Sequence, residues 1–93
     1  MEKFIFYLYV TAGSKSSEQA ILDVKNFCEG EIGFNYEIFI IDILQEPYLA
    51  EESQILATPT LIKVNLDKEI RLIGNFSDKN KLMQALELEK VYG

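Results

Sequence analysis

The stretch Ile55-Leu56-Ala57-Thr58-Pro59-Thr60-Leu61 (ILATPTL) lies just past the middle of a 93-residue chain, and its reading decides the fold. A proline interrupts an apolar run. Proline has no N–H to offer a ladder, so within sheets it stands at strand starts, edges and bulges. Thr60–Val64 (TLIKV) is rich in β-branched and apolar residues, which predicts a strand beginning directly after Pro59. The proline then either ends the preceding element or, as a cis residue, shapes a binding loop at the strand's start. The flanking elements decide between the two.

On the C-terminal side, Ile70–Gly74 (IRLIG) reads as a second short strand, and the polar link Asn65–Glu69 as a hairpin loop. Ser77 or Asp78 can cap a last helix, in which Leu82, Ala85, Leu86 and Leu88 recur at helical spacing. On the N-terminal side, Pro47 can open a short helix, because a first-turn proline loses no helical hydrogen bond. Tyr48, Leu49, Ile55 and Leu56 are expected to form its inner face. Lys3–Val10 (KFIFYLYV), apolar on both faces, reads as a central strand covered on both sides, and Tyr36–Leu44 (YEIFIIDIL) as a second buried strand. Between them, Thr11–Lys15 forms a turn and Ser16-Ser17-Glu18-Gln19 has the form of a capping box. The stripe Ala20, Ile21, Val24, Phe27 and Cys28 marks a helix, and Gly30 is placed to end it. No repeat or linker divides the chain, so residues 1–93 are expected to form a single domain.

The resulting order is β-α-β-α-β-β-α, an α/β class. The first strand–helix–strand segment predicts a right-handed unit with parallel strands. This is the order of a thioredoxin-like domain, in which a proline directly precedes the third strand. Pro59 holds that position, which predicts a cis Thr58–Pro59 bond.

Composition narrows the chemistry. The net charge is −6, which repels polyanions and disfavours nucleic acid as a partner. Histidine is absent and Cys28 stands alone, so thiolate–imidazole and serine–histidine catalysis are excluded, as are histidine zinc sites and an intramolecular disulfide. Redox-active thioredoxin-like proteins carry a cysteine pair where the first helix opens. Here Ala12–Ser17 supplies none, and Cys28 reads as a small core residue. Glu51 and Glu52 point apart on a helix and read as structural or interface residues rather than an acid–base pair, Gly13 alone makes no phosphate loop, and the tyrosines, Tyr92 included, read as core and rim. Asp42, inside a strand, is expected to be hydrogen-bonded at the sheet's C-terminal edge. No apolar run is long enough to span a bilayer and no secretory leader is evident, which points to the cytoplasm. No catalytic residue, metal site or cofactor is expected.

The run Ile41–Glu52, continued through Ile55–Leu61, resembles the KaiB family of cyanobacterial clock proteins. Leu8-Tyr9-Val10, Lys63-Val64, Arg71–Gly74 and Ser77 fit the same pattern, and the likeness runs from about Lys3 to Leu88. The resemblance implies a regulatory protein without a catalytic centre. Such a protein binds the N-terminal ATPase ring of a KaiC-like partner, competes with the thioredoxin-like domain of the kinase SasA, and captures KaiA. It also implies two folds: a tetramer of β-α-β-β-α-α-β subunits, and a thioredoxin-like monomer that binds KaiC. On the matched segment, Gln45, Glu46, Tyr48, Leu49, Glu52 and Lys63 are the implied partner contacts, and Pro59, Gly74 and Ala85 the implied determinants of fold state. Relatives often carry a proline-rich link where this chain has Asn65–Glu69, and a glycine where it has Ala85. Alanine exceeds glycine by about 1 kcal/mol in a helix interior. Both differences predict that the thioredoxin-like monomer predominates. Gln19 and Phe39 stand where relatives carry basic residues, and Lys90–Gly93 replaces a long acidic tail, departures that bear on KaiA capture more than on KaiC binding. Two competing readings are a SasA-type sensory input module and a thiol oxidoreductase using Cys28.

Overall fold

The computed structural model describes residues 3–64 and 68–88. Part of the expected hairpin loop, Asn65–Asp67, and the C-terminal readings at Lys90–Gly93 lie outside the described residues. The elements follow the expected order: β1 (Phe4–Val10), α1 (Lys15–Phe27), β2 (Tyr36–Asp42), α2 (Pro47–Glu52), β3 (Thr60–Val64), β4 (Glu69–Ile73) and α3 (Lys79–Ala85). The four strands form one sheet in the order β2-β1-β3-β4. β1 pairs parallel with β2 in the register Leu8↔Ile40 and antiparallel with β3 in the register Leu8↔Leu61. β3 and β4 pair antiparallel, with Leu61 opposite Leu72. The Thr58–Pro59 bond is cis, as the position of Pro59 predicts.

Period-two alternation along β1 builds two cores, one on each face of the sheet. Phe6, Leu8 and Val10 pack with Leu61 against Ala20, Val24, Phe27 and Cys28 of α1 and its end, and against Leu82 and Leu86 of α3. Tyr9, Ile41 and Ile62 form the second core, covered by Leu49 and Ile55 from α2 and its exit. β1 is therefore the doubly covered central strand. β2 is not: it lies at the edge, and Phe39 and Ile40 remain exposed. An unbroken apolar run looks the same in an edge strand beside a short helix as in a central one.

Two helix boundaries also differ from expectation. Ser14, not Ser16, caps α1, its hydroxyl accepting from the Ser17 amide. The buried Ser17 hydroxyl instead accepts from the Thr11 amide at 2.9 Å, joining the end of β1 to the helix start. At the other end the chain passes through Gly30 in a π-helical turn over Cys28–Ile32. Gly33, at φ 94°, turns it out, a conformation glycine adopts without a Cβ clash. Asp78 caps α3 by accepting from the Lys81 amide.

Candidate docking surface

Thioredoxin-type chemistry would sit where α1 opens opposite Pro59. The side chains there are hydroxyls bonded to one another: Thr11 to Thr58 at 2.6 Å, and Ser14 to Ser16 at 2.9 Å. The one thiol, Cys28, is fully buried beyond the far end of α1, twelve residues or about 18 Å along the helix from Ser16. Burial pushes its pKa from the ordinary 9.0 up to about 12, so it is protonated at neutral pH.

A surface with a different character lies around α2. Asp42, at the end of β2, accepts from the Leu44 amide at 3.0 Å and the Ala12 amide at 3.3 Å, as its place at the sheet edge predicts. That fixes the turn into α2. Pro47 occupies the first turn, and the Glu46 carbonyl accepts from the Leu49 and Ala50 amides. The Tyr9 hydroxyl bonds the Ser53 hydroxyl at 2.9 Å, tying the helix exit to β1. Leu49 turns inward and holds the helix on the Tyr9–Ile41–Ile62 core.

The outward side of α2 carries what remains. Gln45 and Glu52 are exposed, Glu46 is half-buried, and Tyr48 is 64% exposed. Leu44, at 65% exposure, and Leu56, at 95%, flank the helix as further apolar groups. Sequence reading placed Tyr48 and Leu56 on the inner face. A helix of six residues has room to bury only one short stripe, and Leu49 and Ala50 fill it. The length of the helix was the signal that could have corrected that reading. Sequence reading also missed Leu44 as a surface group.

Lys63 does not join this surface. It alternates with Leu61 onto the α3 side of the sheet and is 3% exposed. Its ammonium donates to the Leu86 carbonyl at 2.9 Å and lies 5.7 Å from the Phe4 ring centroid. A sheet thus separates it from Gln45, Glu46, Tyr48 and Glu52. Of the three implied fold-state positions, Pro59 is buried, and its carbonyl accepts from the Gly74 amide at 3.1 Å. Gly74, at φ 106°, needs the freedom of glycine. Ala85 is the last residue of α3 and is exposed, not interior.

The KaiB domain family matches residues 7–88. The chain is 42% identical to the circadian clock oscillator protein KaiB of Synechococcus elongatus over 90 residues, covering 97% of this chain and 86% of that protein. It is 38% identical to the circadian clock protein KaiB3 of a Synechocystis strain over 88 residues, covering 95% of this chain and 86% of the relative. Among solved structures, the N-terminal domain of SasA from Synechococcus elongatus superposes with a TM-score of 0.71 at 23% identity, over 95% of this chain and 87% of that one. The germline thioredoxin Deadhead of Drosophila melanogaster gives 0.72 at 16% identity, over 92% of this chain and 80% of that one. At those identities the structural likenesses establish the thioredoxin-like fold alone.

Proposed function

This chain belongs to the KaiB family, and from that premise we propose that it is a non-catalytic docking protein of clock-type regulation. In this reading it acts in the cytoplasm and, as a monomer in its thioredoxin-like form, binds the N-terminal ATPase ring of a KaiC-like partner. Binding displaces a SasA-type domain of the same fold, and KaiA capture follows on the assembled ring. The observation that carries the reading is the family match across residues 7–88, which takes in the whole α2 surface. That surface supplies what a docking face needs: an exposed aromatic, Tyr48, flanked by Gln45, Glu46 and Glu52 over an anchored floor at Leu49. Lys63 is not part of it, because its ammonium is committed to the Leu86 carbonyl. An oxidoreductase reading has little support, since the only thiol is buried and protonated. Among the described residues no helix is long and apolar enough to cross a membrane.

The test is binding to a purified KaiC-type ATPase ring, with KaiA and a SasA-type domain added in turn. Wild-type protein is expected to bind and to displace the SasA-type domain. Tyr48→Ala is expected to weaken binding roughly ten-fold or more, as truncation of an interface aromatic does. Assembly that then recruits KaiA supports the reading, whereas ring binding that never recruits KaiA favours a SasA-type input module. No binding by wild-type protein would overturn both.

A further inference from the structure

We propose that the outward face of α2 receives an arginine of its partner, whose guanidinium stacks on the Tyr48 ring and bonds the Glu51 and Glu52 carboxylates. This builds on the docking role of α2 and adds what that helix recognises.

The face follows from helix geometry. Leu49, Ala50 and Ser53 turn toward the protein: Leu49 packs on the Tyr9–Ile41–Ile62 core, Ala50 is buried, and the Ser53 hydroxyl bonds that of Tyr9. Tyr48 is left near the centre of the opposite side, 64% exposed. At about 100° per residue, Glu52 stands roughly 40° to one side of Tyr48 and Glu51 roughly 60° to the other, each about one turn further along. Helical side chains lean toward the N-terminus, so both carboxylates reach back toward the turn that carries the ring. Both glutamates are exposed.

Nothing in the described part of the chain completes this arrangement. Among the described residues, ion pairs join Lys3 to Glu37, Lys68 to Glu87 and Arg71 to Glu69, and none reaches Glu51 or Glu52. No ring or cation of those residues covers Tyr48. Arg71 is committed elsewhere, its Nε to Glu69 at 2.6 Å and its Nη1 to the Gln54 carbonyl at 3.5 Å.

The position of the carboxylates is also unfavourable for the free helix. Glu51 and Glu52 are the last two residues of α2, and its last turn holds no basic residue. The negative end of the helix dipole disfavours carboxylates there. Local penalties left uncompensated within a chain concentrate at functional sites, and a cation from outside removes this one. Arginine suits the place better than lysine. Its flat guanidinium stacks on a ring while its N–H fork bonds carboxylates, and it is the more weakly hydrated of the two. The chain's charge of −6 draws a basic partner in at long range.

The probes are acetyl-Gly-Arg-Gly-amide and its lysine counterpart, titrated into the full-length ¹⁵N-labelled chain, with binding to a KaiC-type ring measured alongside. The arginine probe is expected to shift the Tyr48, Glu51 and Glu52 amides saturably and to bind more tightly than the lysine probe. Glu51→Gln and Glu52→Gln should each weaken it roughly two- to five-fold, the scale of an exposed ion pair. Their urea midpoints should stay level or rise, because a carboxylate leaves an unfavourable helix end; a merely structural role would lower stability together with binding. Tyr48→Phe should bind as wild type, whereas Tyr48→Leu should lose roughly two- to five-fold with the ring. Ring affinity should fall in the same variants. Absence of saturable shifts in α2, a lysine probe bound as tightly, equal binding by Tyr48→Phe and Tyr48→Leu, or no loss with either glutamine variant would each overturn the proposal. Equal ring affinity for wild type and both glutamine variants would overturn it too, and would leave the docking role of α2 standing. An arginine probe bound as described by a chain that binds no ring would uphold the recognition chemistry and overturn the ring as its partner.

Discussion

Cys28 lies fully buried just past the end of α1, and that burial has a chemical consequence. A thiol held neutral to about pH 12 does not attack disulfides at neutral pH. Native protein is therefore expected to resist iodoacetamide at pH 8 and to react fully once unfolded; rapid labelling of the native chain would contradict this. The linkage sign follows from the same shift. Above pH 9 the unfolded chain loses the thiol proton while the folded chain keeps it, so this group's contribution to stability is full below pH 9 and declines as pH rises toward 12. In chemical denaturation, Cys28→Ala should flatten that alkaline decline, whatever the substitution costs in packing. Cys28 as core and Asp42 as a bonded carboxylate were both legible, the first from its apolar spacing and the second because a carboxylate in a strand must find donors. Asp42→Ala, which frees the Leu44 and Ala12 amides, is expected to cost about 1 kcal/mol of stability by urea unfolding. Lys63 was not legible. TLIKV alternates in the same way whether its lysine meets water or a carbonyl, and only the position of α3 decides.

At the scale of elements, α2 and α3 show what periodicity can and cannot settle. Both were found from caps and spacing, with Pro47 opening one and Asp78 the other. Their inner faces were harder, because a stripe does not report how much partner surface awaits it. Lys63 fastens the C-terminal end of α3 to β3 through the Leu86 carbonyl. Lys63→Ala removes a charged hydrogen bond and a packed stem, and about 2–3 kcal/mol of destabilisation is expected. Faster amide exchange should appear first in α3; unchanged exchange there would show that the contact does not hold the helix. Ala85 ends α3, so Ala85→Gly is expected to cost less than the ~1 kcal/mol of an interior site. Glycine's preference for positions just past a helix end reduces the penalty further. The substitution should accordingly move the balance between alternative folds less than the approximately five-fold that an interior position would give. If a second fold is populated, exchange-detected NMR reads this shift directly.

For the whole molecule, the order of elements was legible and the exposure of the sheet was not. Strand spacing and a single proline gave β-α-β-α-β-β-α, but they carry no information about which strands end at an edge. β2 leaves Phe39 partly exposed and stacked on Tyr7, at 5.3 Å between ring centroids. A central β2 would have covered that pair. The thioredoxin-like form is expected to be a monomer, sedimenting near 10.7 kDa rather than at a multiple of it. The whole account rests on the second half of the chain folding as the β3–β4 hairpin backed by α3, because that arrangement sets Ile62 in the core on which Leu49 anchors the α2 surface. Cross-strand NOEs in solution test it most directly. The account predicts backbone contacts between Leu61 and Leu72 and between Lys63 and Ile70 in a monomer. Loss of those contacts, with Thr60–Val64 and Glu69–Ile73 in helical or otherwise paired states, would contradict it.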